Sequence, residues 1–159
     1  MTDVTLSTTD IRILQVLQRD ASISNVQLAE MVGMSPSPCL RRVKQLEESG
    51  VIKRQVALLD RKKLGFGVLA TIQVGLQSHT EAGAEEFARA MNDLPEVLSC
   101  WAMTGRQDFL LVAVARDIES FGDFVTHQLL SMPNVRDVQS SLVLKEYKNL
   151  TAIPMPRLP

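Results

Sequence analysis

Apolar residues recur with helical spacing over the first fifty positions, then alternate with the period of strands from about residue 67. Ile11, Ile13, Leu14 and Leu17 make one stripe, which predicts a helix over about 9–19 capped by Thr8 or Thr9. Val26, Leu28, Ala29 and Val32 predict a second helix. It opens on the capping box Ser24-x-x-Gln27 and breaks at Gly33, where a left-handed turn needs a residue without Cβ. Leu40, Val43 and Leu46 predict a third. Ser35 stands at its cap, Pro36 at its first position, Pro38 in the same turn, and Gly50 just past its end. Two short helices about a glycine turn form a helix-turn-helix. The run from Val51 to Leu59 then reads as an extended strand, a wing that can also pair with another copy, and Asp60 to Gly65 as a polar link.

The rest of the chain contains a repeat. Leu94-Pro95-Glu96-Val97 is echoed by Met132-Pro133-Asn134-Val135, and each tetrapeptide follows an amphipathic helix and precedes a strand. The first unit is a strand at about 67–77, a helix at about 81–92 and a strand at about 97–104; the second is a strand at about 108–116, a helix at about 118–130 and a strand at about 135–146. The order β-α-β-β-α-β is the ferredoxin-like plan, an antiparallel sheet with both helices on one face. Leu69, Thr71 and Gln73, with Ser99, Trp101 and Met103, make the other face too apolar for a lone chain. A dimer is expected to bury it. The fold class is therefore α+β, with a helix-turn-helix domain over 1–52, a hinge strand and linker over 53–66, a ferredoxin-like domain over 67–150 and a proline-broken tail over 151–159. That tail is expected to be mobile unless it packs on a partner.

Hydrophobic residues are 45% of the 159 and charged residues 22%, the balance of a globular chain. No apolar run approaches the roughly 18 residues of a spanning helix, and Met1-Thr2-Asp3 is no signal peptide, so a cytoplasmic protein is expected. The net charge of −1 is unevenly divided. Residues 1–64 hold ten Lys/Arg against seven Asp/Glu, and the remainder seven against eleven, so the halves carry +3 and −4. A basic module joined to an acidic one points to nucleic acid as the first module's partner. So modest a charge grips few phosphates, and tight binding calls for more than one copy.

Ser37, Pro38, Arg41, Arg42, Lys44 and Gln45 lie mostly off the apolar stripe of the third helix. Arginine donates in pairs to guanine edges, glutamine addresses adenine, and small hydroxyls let a helix start approach the bases. With Asn25 and Ser35 these residues make the candidate DNA surface; the competing reading is a solvated amphipathic helix. Lys53 and Arg54 serve equally well along a phosphate backbone or on an ordinary strand face. The turn Thr104-Gly105-Arg106-Gln107-Asp108 offers free amides for a carboxylate and Asp108 for an ammonium, which suits an α-amino acid. A plain hairpin connection would carry the same residues. Cys39 and Cys100 have no spacing partner and read as buried thiols, and His79 and His127 as surface or packing residues. No phosphate loop, zinc spacing or nucleophile–base pair appears, so no enzyme and no cofactor are expected.

The stretches Ile23-Ser24-Asn25-Val26-x-Leu28-Ala29, Gly33-Met34-Ser35-Pro36-Ser37-Pro38-Cys39-Leu40-Arg41-Arg42-Val43-x-x-Leu46-Glu47, Gly50-Val51-Ile52, Ala57-Leu58-Leu59 and Thr104-Gly105-x-x-Asp108-Phe109-Leu110-Leu111, with the Ser140-Ser141 strand before Lys145-Glu146, resemble the Lrp/AsnC (feast/famine) transcription regulators. The resemblance spans essentially the whole chain. It implies a winged helix-turn-helix, a hinge strand and a ferredoxin-like domain that answers to amino acids. It also implies homodimers that assemble further, commonly to octamers, with a small amino acid bound between dimers. On that basis the effector site is expected to involve Met103, Thr104, Gly105, Arg106, Gln107, Asp108 and Ser140. The leucine-responsive branch is the nearest in pattern, which makes leucine or methionine the expected effector. Two departures stand out. Asp20-Ala21-Ser22 replaces the family's frequent Asp-Gly-Arg, and Gln107 stands where aromatic and other side chains are common, which leaves the effector open. An effector-independent, nucleoid-type architectural protein would share the same features.

Overall fold

The structure, a computed structural model, describes residues 5–149 and 152–156. The described residues divide into two compact units, one running up to Leu58 and taking in the segment from Tyr147 onward, the other Leu59–Glu146. Among the described residues no helix is long and apolar enough to cross a membrane.

The first unit is built from α1 (Thr8–Leu17), α2 (Asn25–Val32) and α3 (Pro36–Glu48). Ser7, and neither threonine, caps α1. Its Oγ accepts the Asp10 N–H at 3.2 Å while the Asp10 carboxylate accepts the Ser7 N–H at 2.7 Å. An acid three residues past a serine closes this reciprocal box, and Thr8 and Thr9 have no such partner in the sequence. The box at Ser24 and Gln27 forms as expected. Gly33 takes φ 72° and ψ 40°, and Met34 N–H donates to the Ala29 carbonyl at 2.8 Å, so the left-handed residue closes α2 in a Schellman turn.

Ile13, Leu14, Leu28, Ala29, Val32, Cys39 and Leu46 are the buried core of this unit. Two expected core residues are exposed instead: Val26, and Leu40, which keeps 46% of its surface. On α3 the inward positions are buried Cys39 and Leu46 with partly buried Val43 between them, spaced four and then three, which follows 3.6 residues per turn more closely than the uniform threes of 40, 43 and 46. Burial pushes the Cys39 thiol up. The expected strand over 51–59 has no ladder: these residues form no sheet among the described residues, and Val56, Leu58 and Leu59 stand exposed. A strand needs a neighbour to hold it, and this chain alone does not supply one. Of the tail, expected to be mobile in the absence of a partner, the described residues, 152–156, pack on their own chain, and 151 and 157–159 lie outside the described residues. Met155 rests against the helical core, and Ile153 N–H donates to Gln18 Oε1 at 3.1 Å.

The second unit runs β1 (Val68–Leu76), α4 (Glu81–Asn92), β2 (Val97–Ala102), β3 (Phe109–Ala115), α5 (Ile118–Asp123) with a π-helical continuation over Phe124–Leu129, and β4 (Val135–Leu142). The sheet order is β2-β3-β1-β4 with every pair antiparallel, so each crossover straddles a strand of the other half, as the ferredoxin-like plan requires. Ala70, Ile72 and Val74 lie opposite Ala113, Leu111 and Phe109, and all six are buried together with Phe87, Met91, Phe121, Phe124 and Leu129 from the helices. The rings of Phe87 and Phe109 meet with centroids 4.7 Å apart. Because strand residues alternate, the intervening pairs Thr71↔Val112, Gln73↔Leu110 and Trp101↔Leu110 fall on the opposite face. The core helices do not cover that face, and Trp101 keeps 45% of its surface.

Candidate DNA interface and effector cavity

The start of α3 is unusual in its donors. Ser35 sits at the cap with extended backbone, yet its side chain caps nothing. A cap serine bonds the second or third helical amide, and the third position is Pro38, which has no N–H. Pro36 removes the first as well, so the chain leaves short, exposed Ser35 and Ser37 at the helix tip. Asn25 does not join that surface. Its Nδ2 donates to the Pro36 carbonyl at 2.8 Å and ties the start of α2 to the start of α3.

The two adjacent arginines have different fates. Arg42 donates from Nε and Nη2 to both carboxylate oxygens of Asp10, the second at 2.6 Å, and from Nη1 to Gln45 Oε1 at 3.0 Å. Asp10 is 1% exposed, and the Arg42 guanidinium, with help from Ser7, lowers its carboxyl to about 2. Arg42 is thus engaged as a strut from α3 to α1, and Gln45, itself exposed, braces it. The cause is angular. Residue 42 lies on the same side of the helix as buried Cys39 and Leu46, whereas residue 41 is rotated about 100° away. Arg41 and Lys44 are exposed and make no ion pair among the described residues. With Ser37 and Leu40 they form the exposed arc of α3, flanked by Pro38.

In the second unit the turn from Thr104 to Asp108 is closed by Met103 N–H donating to the Asp108 carbonyl at 2.8 Å, with Gly105 at φ 115°. Asp108 is already engaged. Its carboxylate accepts Leu76 N–H at 2.7 Å and faces His79 Nδ1 at 2.9 Å, and these contacts hold its carboxyl below the usual range, the Leu76 amide contributing most. It anchors the turn to the end of β1 and is not offered to an ammonium group, contrary to expectation. Gln107 donates to Asp137 Oδ1 at 2.8 Å, and Arg136 donates to the other oxygen of Asp137 at 2.6 Å. Gly75 passes beneath this group; a Cβ there would stand 2.6 Å from Gln107 Oε1, so a larger residue would push these side-chain ends aside.

Beside the turn lies a cavity of about 180 Å³ lined by Gln73, Met103, Thr104, Arg106, Gln107, Phe109 and Leu110. Four of the expected effector residues, Met103, Thr104, Arg106 and Gln107, thus come together, while Gly105 and Asp108 do not line it. Ser140 does not line the cavity; it lies on β4 opposite buried Ile72, whereas Gln73 pairs with Gln139. Gln73, Phe109 and Leu110 were not among the expected residues. The β1 alternation that put Gln73 on the open face was the signal for it.

Residues 69–153 match the family model described as the Lrp/AsnC ligand binding domain, and residues 6–53 match one described as winged helix-turn-helix DNA-binding. The chain belongs to the Lrp/AsnC family. It is 42% identical over 146 residues to the leucine-responsive regulatory protein of Rhizobium meliloti, covering 92% of this chain and 94% of that one. To the transcriptional regulator AzlB of Bacillus subtilis it is 38% identical over 152 residues, covering 96% and 97%. A transcriptional regulator of Neisseria meningitidis, solved as an L-Met complex, superposes with a TM-score of 0.90 at 47% identity, covering 94% of this chain and 97% of that one. This Lrp/AsnC regulator therefore couples a DNA-binding winged helix-turn-helix to a ligand-binding α+β domain.

Proposed function

We propose that this regulator reads operator half-sites with the exposed arc of α3 and that leucine or methionine, bound in the cavity beside residues 103–107, changes its assembly or its DNA affinity. The observation that carries the effector reading is the cavity lining. Arg106 offers a guanidinium to the α-carboxylate, and Thr104, Gln73 and Gln107 offer neutral polar atoms. Met103 and Leu110 offer apolar surface to the side chain, and a charged one would be desolvated against them without a partner. The methionine-bound relative from Neisseria meningitidis supports the same ligand class.

The cavity opens among residues of the uncovered sheet face. Two copies meeting through that face make a homodimer, and dimers assemble further, to a tetramer of dimers. An effector at such a junction shifts the assembly only by binding one state better than another. The regulator acts on cytoplasmic DNA.

Calorimetric titration with leucine, methionine, glutamate and lysine, paired with sedimentation velocity, tests this reading. The expected result is saturable heat for leucine or methionine, none for the charged pair, and a shift in sedimentation with the ligand that binds. Absence of saturable heat for every amino acid would overturn the effector half and leave an architectural DNA-binding protein.

A further inference from the structure

We propose that Leu40 reads the 5-methyl group of thymine in the major groove, an inference that rests on α3 being the groove-reading helix. Leu40 keeps 46% of its surface because Cys39, not Leu40, fills the core position on that turn of α3. Its neighbours on the exposed arc are Ser37 three residues before it and Lys44 four residues after it, with Arg41 beside them, so Leu40 is the single apolar member of that arc. A helical side chain leans over the turn preceding its own Cα, which puts Leu40 over the Pro36–Ser37 tip. That tip is the part of a recognition helix that reaches base edges. Its residues are short, and no side-chain cap covers it, so the duplex can come close. A leucine has no donor or acceptor. The feature of a base edge it can distinguish is therefore the thymine methyl, an apolar group no other unmodified base carries.

The test uses the full-length protein and a binding site selected in vitro. Affinities are measured at one salt concentration on two duplexes, identical except that every thymine in the protected half-sites is replaced by deoxyuridine. Wild type should bind the uracil duplex about fourfold more weakly for each half-site, the effect of losing one buried methyl. Leu40→Ala should bind both duplexes alike, at the weaker level, with an unchanged melting temperature. Arg41→Ala should bind both more weakly yet still prefer thymine. Equal wild-type affinity for the two duplexes overturns the proposal. So does a Leu40→Ala protein that still discriminates between them, because the methyl would then be felt through DNA shape. If Arg41→Ala and Lys44→Ala both bind as wild type does, the groove assignment of α3 fails, and the proposal fails with it.

Discussion

Each unit of this regulator leaves one surface uncovered, and the two surfaces differ in kind. The first unit closes its helical core around Ile13 and Leu28 and turns outward an arc of Ser37, Leu40, Arg41 and Lys44. The second buries one side of its sheet under two helices and leaves Leu110, Val112 and Trp101 on the other. A cationic, hydrogen-bonding arc is stable in water and waits for a polyanion, so it can stay exposed until DNA arrives. An apolar sheet face gains free energy whenever it is covered, and on the proposed function its cover is the same face of a second copy. On the proposed function, the charged arc meets DNA and the apolar sheet face carries assembly.

The sharpest way to break this contrast is to put a charge on the greasy side. Val112→Glu should abolish self-association, weakening it about a thousandfold because an unpaired carboxylate would be carried into the interface. Sedimentation equilibrium checks this, and an assembly unchanged by the variant would remove the sheet face from consideration. Arg42→Ala should come next, destabilising the first unit by about 2 kcal/mol, less than a fully buried pair would lose because Arg42 is itself 38% exposed. The pH dependence has a definite sign. The Asp10 carboxyl sits at about 2 in the folded chain against 3.8 for a free one, so the unfolded chain binds the proton first. The pair's contribution is complete above pH 4 and fades as the pH falls toward 2, and urea melts across that window should lose this component in Arg42→Ala.

A smaller effect, on binding alone, is expected for the free arginine. Arg41→Ala should weaken operator binding about tenfold with stability unchanged, and Lys44→Ala should reduce the salt slope of binding by about one. If Arg42→Ala, measured well below its melting temperature, lowers the salt slope as much as Lys44→Ala, the division between strut and reader is wrong. Smallest of all, Arg106→Ala should weaken effector binding about fivefold, read by calorimetry, with operator affinity in the absence of effector unchanged.

Much of this was legible from residue spacing. The Ser24–Gln27 box, the Gly33 turn, the proline-opened α3 and the β-α-β-β-α-β order are local patterns, and the backbone follows them. One misreading is local, and two involve partners distant in sequence. Ser7 was overlooked as a cap because two threonines stood closer to the apolar stripe, although Asp10 completes its box. Arg42 looked like Arg41 because its carboxylate lies 32 residues away on another helix. Asp108 looked available because Leu76 and His79, which engage it, belong to another strand and its following loop.

The sequence by itself determined where helices start and stop, which residues alternate across the sheet, and that one half is basic and the other acidic. These properties depend on backbone geometry and on neighbours within a few positions. Only the tertiary structure decided which polar side chains are free to meet a ligand. A donor or acceptor is free or engaged according to what the fold brings within 3 Å of it, and neither spacing nor composition carries that distance.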